Sequence, residues 1–171
     1  YTFAGFQDDY IKIKGKGNDG LTARGKLLRQ IAIAMLPILF LMMTKTGASD
    51  VTIGHYVLHL GWFYPFFAVF VITGASNAYN LTDGLDGLAA STGVPAFVAC
   101  SAIALLSHYD YIAIISAAMA GALLGFLKYN KPKAQVFMGD TGSLALGGFI
   151  ASICSVTKMY LFIPILGLMF V

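Results

Sequence analysis

Long apolar runs alternate along the chain with short segments that hold nearly all of its charge. Runs at about Leu27 to Thr44, Gly61 to Thr73, Leu88 to Leu106, Ile112 to Leu127 and Ser143 to Val156 read as five complete membrane spans, since ~20 residues of helix cross a bilayer core. Residues 1–7 read as the tail of an incoming helix, and a seventh segment begins near Met159. The second run is short, so its start is placed earlier, near Tyr56, with Trp62, Phe63 and Tyr64 as an interfacial aromatic cluster. Pro37 and Pro95 are expected kinks, and Ala117, Ala118, Gly121 and Gly125 form a small-residue face suited to close helix packing. The expected fold is all-α: a polytopic transmembrane helical bundle, about five complete spans plus two partial ones, in a single integral-membrane domain over 1–171. Both ends fall in apolar segments, so the chain is expected to be an internal portion of a longer protein.

Composition agrees. A hydrophobic fraction of 58% and a mean hydropathy of +0.76 exceed what a soluble domain of 171 residues can bury. Cys100 and Cys154 lie inside apolar runs and read as small buried hydrophobes, and no Cys/His spacing suggests zinc. Loops alternate across the membrane, so segments 8–26, 74–87 and 128–142 share one face. Counting Arg29, just past the first segment, nine of the eleven Lys and Arg residues fall there, which makes that face cytoplasmic by the positive-inside rule. All eight acids are Asp, and Asp8, Asp9, Asp19, Asp83, Asp86 and Asp140 gather on the same face. Only Asp50 and Asp110 lie opposite, with His55, His59 and His108, which read as interfacial or solvated. A transporter or channel would place its acids near mid-span, whereas these sit at one set of span ends.

Three segments carry candidate chemistry. Asp8 and Asp9 are adjacent carboxylates at a membrane boundary, where they repel one another and need a cation, a proton or a basic partner such as Lys12, one helical turn on. The alternative is a solvated helix end. In Asn80-Leu-Thr-Asp83-Gly-Leu-Asp86, the spacing of three puts Asn80, Asp83 and Asp86 on one face if the segment is helical. Their oxygens suit a hydrated Mg2+ or a polar sugar nucleotide; the alternative is a polar turn. In Lys128 to Ser143, three Lys, Asn130 and Phe137 precede Gly139-Asp140-Thr141-Gly142-Ser143 at the mouth of a span. Asp140 is expected at or just before the N-cap, as a metal ligand beside an anion-binding helix start, or as a simple cap. Taken together, the three segments supply what phosphoryl transfer needs: carboxylate for a metal, cations for phosphate oxygens and a carboxylate base.

The segments GFQDDYIKIKGK, SNAYNLTDGLDGLA and FMGDTGSLALGG resemble the polyprenyl-phosphate N-acetylhexosamine-1-phosphate transferases, in order and over residues 5–148. NLTDGLDGLA is most similar to the branch that uses UDP-MurNAc-pentapeptide. The resemblance implies a multi-pass enzyme of the bacterial inner membrane, with its active site on the cytoplasmic face. It would transfer a phospho-sugar from a UDP-sugar donor to undecaprenyl phosphate with Mg2+, releasing UMP. It further implies Asp8, Asp9 and Asp83 as catalytic and Asp140 as the Mg2+ ligand, with Lys12, Lys16, Asn80, Asp86, Asn130, Phe137 and Ser143 against the substrates. The partners are then the donor, the polyprenyl phosphate and the bilayer, with a homodimer as one assembly option and no nucleic acid. The GlcNAc-1-phosphate branch, a transporter and an inactive scaffold are the rival readings. The branch's His-rich loop would lie downstream of this chain.

Overall fold

The computed structural model describes residues 1–15, 20–44, 49–53, 56–158 and 160. Lys16, Asp19, Lys45, His55 and, apart from Tyr160, the segment expected from Met159 onward lie outside the described residues. Among those described, six α-helices form: α1 (Thr2–Lys14), α2 (Ala23–Met43), α3 (Tyr64–Thr82), α4 (Leu88–Leu106), α5 (Asp110–Asn130) and α6 (Gly139–Val156). An antiparallel hairpin, β1 (Asp50–Ile53) with β2 (Tyr56–His59), joins α2 to a 3-10 turn at Gly61–Phe63.

The helical fold of the sequence reading is present, and α4 has the expected bounds. Three helices, α2, α4 and α5, are long and apolar enough to cross a membrane. Helices α3 and α6 have 19 and 18 residues, but polar side chains crowd one end of each; the larger count of five complete and two partial spans is not established. Two boundaries differ from expectation. The third helix does not reach back to Tyr56, which is in β2; it runs on past Thr73 to Thr82 and carries Asn77 and Asn80 with it. Trp62 and Phe63 are exposed as an interfacial pair should be, but Tyr64 turns inward and its hydroxyl meets that of Tyr160 at 2.7 Å. The incoming helix likewise continues to Lys14, so Asp8 and Asp9 are helical.

Helix α6 is the hub. It packs on α1 and α3, while α4 pairs with α5 and α2 with α3. One apolar cluster joins Tyr79, Ala90, Phe97 and Leu123 to Leu146 and Ile150; a second joins Ala34, Ile38, Ala68 and Ile72 to Ala151. Small residues permit these crossings. A Cβ at Gly147 would stand 2.7 Å from the Tyr79 Cβ and 2.8 Å from the Ser76 Cα. Beside it, the buried Ser76 hydroxyl donates to the Leu144 carbonyl at 2.8 Å. A Cβ at Gly5 would collide with the Asp140 carbonyl, so α1 approaches α6 backbone to backbone. The small-residue face of α5 does not serve this purpose among the described residues: Gly121 and Gly125 have nothing within 4 Å of a Cβ position, and α5 meets α4 through Ala113, Ser116, Ala120 and Leu123.

Gly147→Ala is therefore expected to lower stability by about 1–3 kcal/mol through overpacking. Gly121→Ala should leave it unchanged or raise it by up to ~1 kcal/mol through helix propensity. Thermal unfolding of the two variants in detergent micelles checks the contrast.

Candidate functional site

The C-terminal turns of α1 and α3 and the N-terminal turns of α2 and α6 meet at one end of the bundle. A helix start leaves backbone N–H groups without partners, and the first turn of α6 has no side-chain cap of its own. Asp9 supplies one from 131 residues away. Its Oδ1 accepts from the Asp140 N–H at 3.2 Å, and its Oδ2 accepts from the Thr141 N–H at 2.8 Å and the Thr141 hydroxyl at 2.5 Å. A carboxylate at this position also complements the helix dipole. Gly139 has φ +64°, and a Cβ there would stand 2.9 Å from the Asp9 Oδ2, so glycine serves both the turn and the approach.

Asp8, the preceding residue of α1, is buried. Its Oδ1 accepts from the Leu21 N–H at 2.7 Å as the chain folds back, and its Oδ2 lies 2.6 Å from Lys12 Nζ. Asp140 occupies the centre. Lys26 Nζ donates to its Oδ2 at 2.5 Å and Lys12 Nζ to the same oxygen at 3.2 Å, while Asn80 Nδ2 donates to its Oδ1 at 2.8 Å. Asn80 Nδ2 also donates to the buried Ser143 hydroxyl at 2.7 Å, which in turn donates to the Gly139 carbonyl at 2.8 Å.

Burial alone would raise the Asp140 carboxyl. Hydrogen bonding with Asp8, Lys26 and Asn80, and the Lys26 charge, outweigh it and hold Asp140 well below the usual carboxylate range. Asp83 shows the opposite balance. It is half-buried just past the end of α3, and burial, followed by the charges of Asp140 and Asp9, pushes it up to about 6 against a weaker hydrogen bond from the Gly139 backbone.

Oxygens of Asp8, Asp9 and Asp140 lie within 4.8 Å of one another. Three hard carboxylate donors from two helices fit a divalent cation that keeps part of its water shell. Lys12 Nζ lies within 4 Å of an oxygen of each of the three, and Lys26 Nζ meets Asp140.

The structure brings Asp8, Asp9, Lys12, Asn80, Asp83, Asp140 and Ser143 together. Three other candidates stand elsewhere. Asp86 does not share a helical face with Asn80 and Asp83, because α3 stops at Thr82; its exposed carboxylate accepts from the Ala134 N–H at 3.0 Å. Asn130 is buried and ties loops together, accepting from the Gly87 N–H at 3.2 Å and donating to the Val136 carbonyl at 2.9 Å. Phe137 is 72% exposed. Asp140 is not the N-cap, which is Met138, but lies inside the first turn. Sequence reasoning missed Lys26 and Thr141. Thr22 caps α2 by accepting from the Gly25 N–H at 3.2 Å; recognising that cap would have placed Lys26 in the first turn of a helix rather than in a loop.

The glycosyl transferase family 4 profile matches residues 1–158, and the chain belongs to that family. Within it, the chain is 49% identical over 170 residues to the phospho-N-acetylmuramoyl-pentapeptide-transferase of Halalkalibacterium halodurans, covering 98% of this chain and 52% of that protein. It is 47% identical over 178 residues to the protein of the same name from Oceanobacillus iheyensis, covering 100% of this chain and 53% of the relative. For the Caldanaerobacter subterraneus protein, again of that name, the identity is 46% over 173 residues, with 100% and 54% covered. The chain thus spans about half the length of the curated relatives it matches.

Two outcomes follow from the site. Asp9→Ala uncaps α6 and should cost about 1–3 kcal/mol, read as a lowered unfolding midpoint. Asp83 has a folded-state pKa raised above its ordinary 3.8, so the folded state favours its protonated form. Relative to Asp83→Asn, the wild type should lose ~1 kcal/mol of stability as pH rises from about 4 to about 6, after allowing for solvent screening of a half-exposed group. Parallel unfolding curves across that range measure the difference.

Proposed function

We propose that the protein to which this chain belongs transfers phospho-MurNAc-pentapeptide from UDP-MurNAc-pentapeptide to undecaprenyl phosphate, yielding lipid I and UMP for peptidoglycan synthesis. The observation that carries the reading is the convergence of Asp8, Asp9, Asp83 and Asp140 with Lys12 and Lys26 at one end of the bundle. The names of the relatives favour this donor over UDP-GlcNAc. The excess of Lys and Arg in the segments at that end supports a cytoplasmic face in the bacterial inner membrane, where a sugar nucleotide is available. None of the described residues supports a homodimer.

An oxygen of the lipid phosphate attacks the phosphorus attached to the sugar, the bridging P–O bond breaks, and UMP leaves. Mg2+, held by Asp8, Asp9 and Asp140, would draw negative charge from the diphosphate. Lys12 and Lys26 offset the charge that develops on the phosphate oxygens. Hydrogen bonding divides the work among the carboxylates. Both oxygens of Asp9 hold α6, and those of Asp8 hold Leu21 and Lys12. Asp83, with its raised pKa, is the group best suited to take a proton from the lipid phosphate near neutral pH. The acceptor's tail has a route as well: an apolar groove of about 580 Å3 between α2 and α3 is lined by Leu27, Ile31, Met35, Phe66 and Phe70 and reaches Asn77, one turn from Asn80.

In the full-length protein, Asp140→Asn should lower UMP release by roughly 100-fold or more while the protein still folds, with a lowered unfolding midpoint because Lys12 and Lys26 lose their carboxylate. Turnover like that of the wild type at saturating Mg2+ would refute the role of Asp140. Release of UMP from UDP-GlcNAc, but not from UDP-MurNAc-pentapeptide, would refute the donor.

A further inference from the structure

One turn below the carboxylate cluster, α2 and α3 are joined by a reciprocal pair of carboxamides. Asn77 Nδ2 donates to the Gln30 Oε1 at 2.7 Å, and Gln30 Nε2 donates back to the Asn77 Oδ1 at 3.3 Å. Gln30 is 1% exposed, although it lies in a helix apolar enough to span a membrane. Its surroundings are closed by the Tyr1 hydroxyl, which donates to the Gln30 carbonyl at 3.1 Å and lies 3.3 Å from the Thr73 hydroxyl. Asn77 Nδ2 also donates to the Thr73 carbonyl at 2.8 Å. An amide buried in apolar surroundings is costly unless paired. A sliding or rotation of α2 against α3 would break both bonds at once, so the pair admits one register, as a buried Asn does in a coiled coil.

That register matters because of what each helix carries next. Lys26 precedes Gln30 by four residues and Asn80 follows Asn77 by three, so both lie on the same helix faces as the pair, one turn toward the site. They grip the two oxygens of one carboxylate: Lys26 the Oδ2 of Asp140 and Asn80 its Oδ1. Apart from Lys12 and Asp8, both on α1, the side chains that orient Asp140 therefore come from two helices whose relative position the amide pair fixes. The geometry points to Gln30 as a positioning residue: through Asn77 it sets the register of α2 on α3, and so the orientation of Asp140 toward cation and diphosphate. This rests on the proposed phospho-sugar transfer only for its kinetic readout.

The test uses the full-length protein in detergent, with Gln30→Leu and the swapped pair Gln30→Asn with Asn77→Gln. The swap keeps two carboxamides and the summed side-chain length. UMP release and Mn2+ binding, followed by paramagnetic resonance, are read beside the unfolding midpoint. Gln30→Leu is expected to lower turnover roughly 10- to 100-fold, as a misplacement of about 1 Å does, and to weaken Mn2+ binding. The swap should recover both. Should Gln30→Leu fail to fold, recovery in the swap alone still supports the role. Wild-type turnover and Mn2+ affinity in a folded Gln30→Leu protein, or a folded swap as impaired as the single variant, would overturn it. If the wild type releases no UMP, the transferase reading fails, and the Mn2+ titrations still decide the positioning role.

Discussion

The site depends on one requirement of elementary backbone chemistry: the free N–H groups at the start of α6 must find acceptors. Asp9 meets that need from another helix. A local cap would have ended the matter within one element. Because the cap comes from α1, it welds two helices distant in sequence and places Asp8, next to Asp9, within ligand distance of Asp140. Both helices must also come close, which is why Gly5 and Gly139 stand at the contact where any Cβ would crowd the partner. The carboxylate cluster is thus as much a product of helix capping as of charge.

Packing and electrostatics reinforce one another around that weld. Four carboxylates, from Asp8, Asp9, Asp83 and Asp140, face two ammonium groups, from Lys12 and Lys26. Burial, with the charges of Asp140 and Asp9 behind it, pushes the Asp83 carboxyl up to about 6, while hydrogen bonding with Asp8, Lys26 and Asn80 and the Lys26 charge hold Asp140 down. Neighbours of one chemical type are therefore shifted in opposite directions, and division of labour follows from placement rather than residue type. Burying so many acids is tolerable because nearly every oxygen has a donor.

Much of this was legible in the amino-acid sequence. The apolar runs gave the helical architecture, and α4 falls where the pattern of Leu88 to Leu106 put it. The spacing of acidic segments, two apolar runs apart, anticipated that Asp8, Asp83 and Asp140 would meet. Other features were hidden. Polar residues at helix ends read as loop: Asn77 and Asn80 look like a turn in one dimension, but their backbone bonds continue α3 to Thr82. Asp86 matched the helical spacing of Asp83, yet Gly87, at φ +76°, belongs to a turn that carries it toward Ala134. The small residues of α5 looked like a packing face, but the backbone approach occurs at Gly147. Tertiary pairing decides such points, and a single sequence records only the local half of it.

The span of the Asp9 cap has a bearing on biogenesis. Its two ends are separated by 131 residues, and four helices are made between them. Until α6 emerges and inserts, Asp9 has no helix start to hold, and the acidic pair stays exposed at the edge of an unfinished bundle. Insertion can proceed helix by helix, but the pocket closes in a single late step of long-range contact. A ribosome-bound intermediate lacking α6 would have α2, α4 and α5 in place and an unclosed carboxylate cluster.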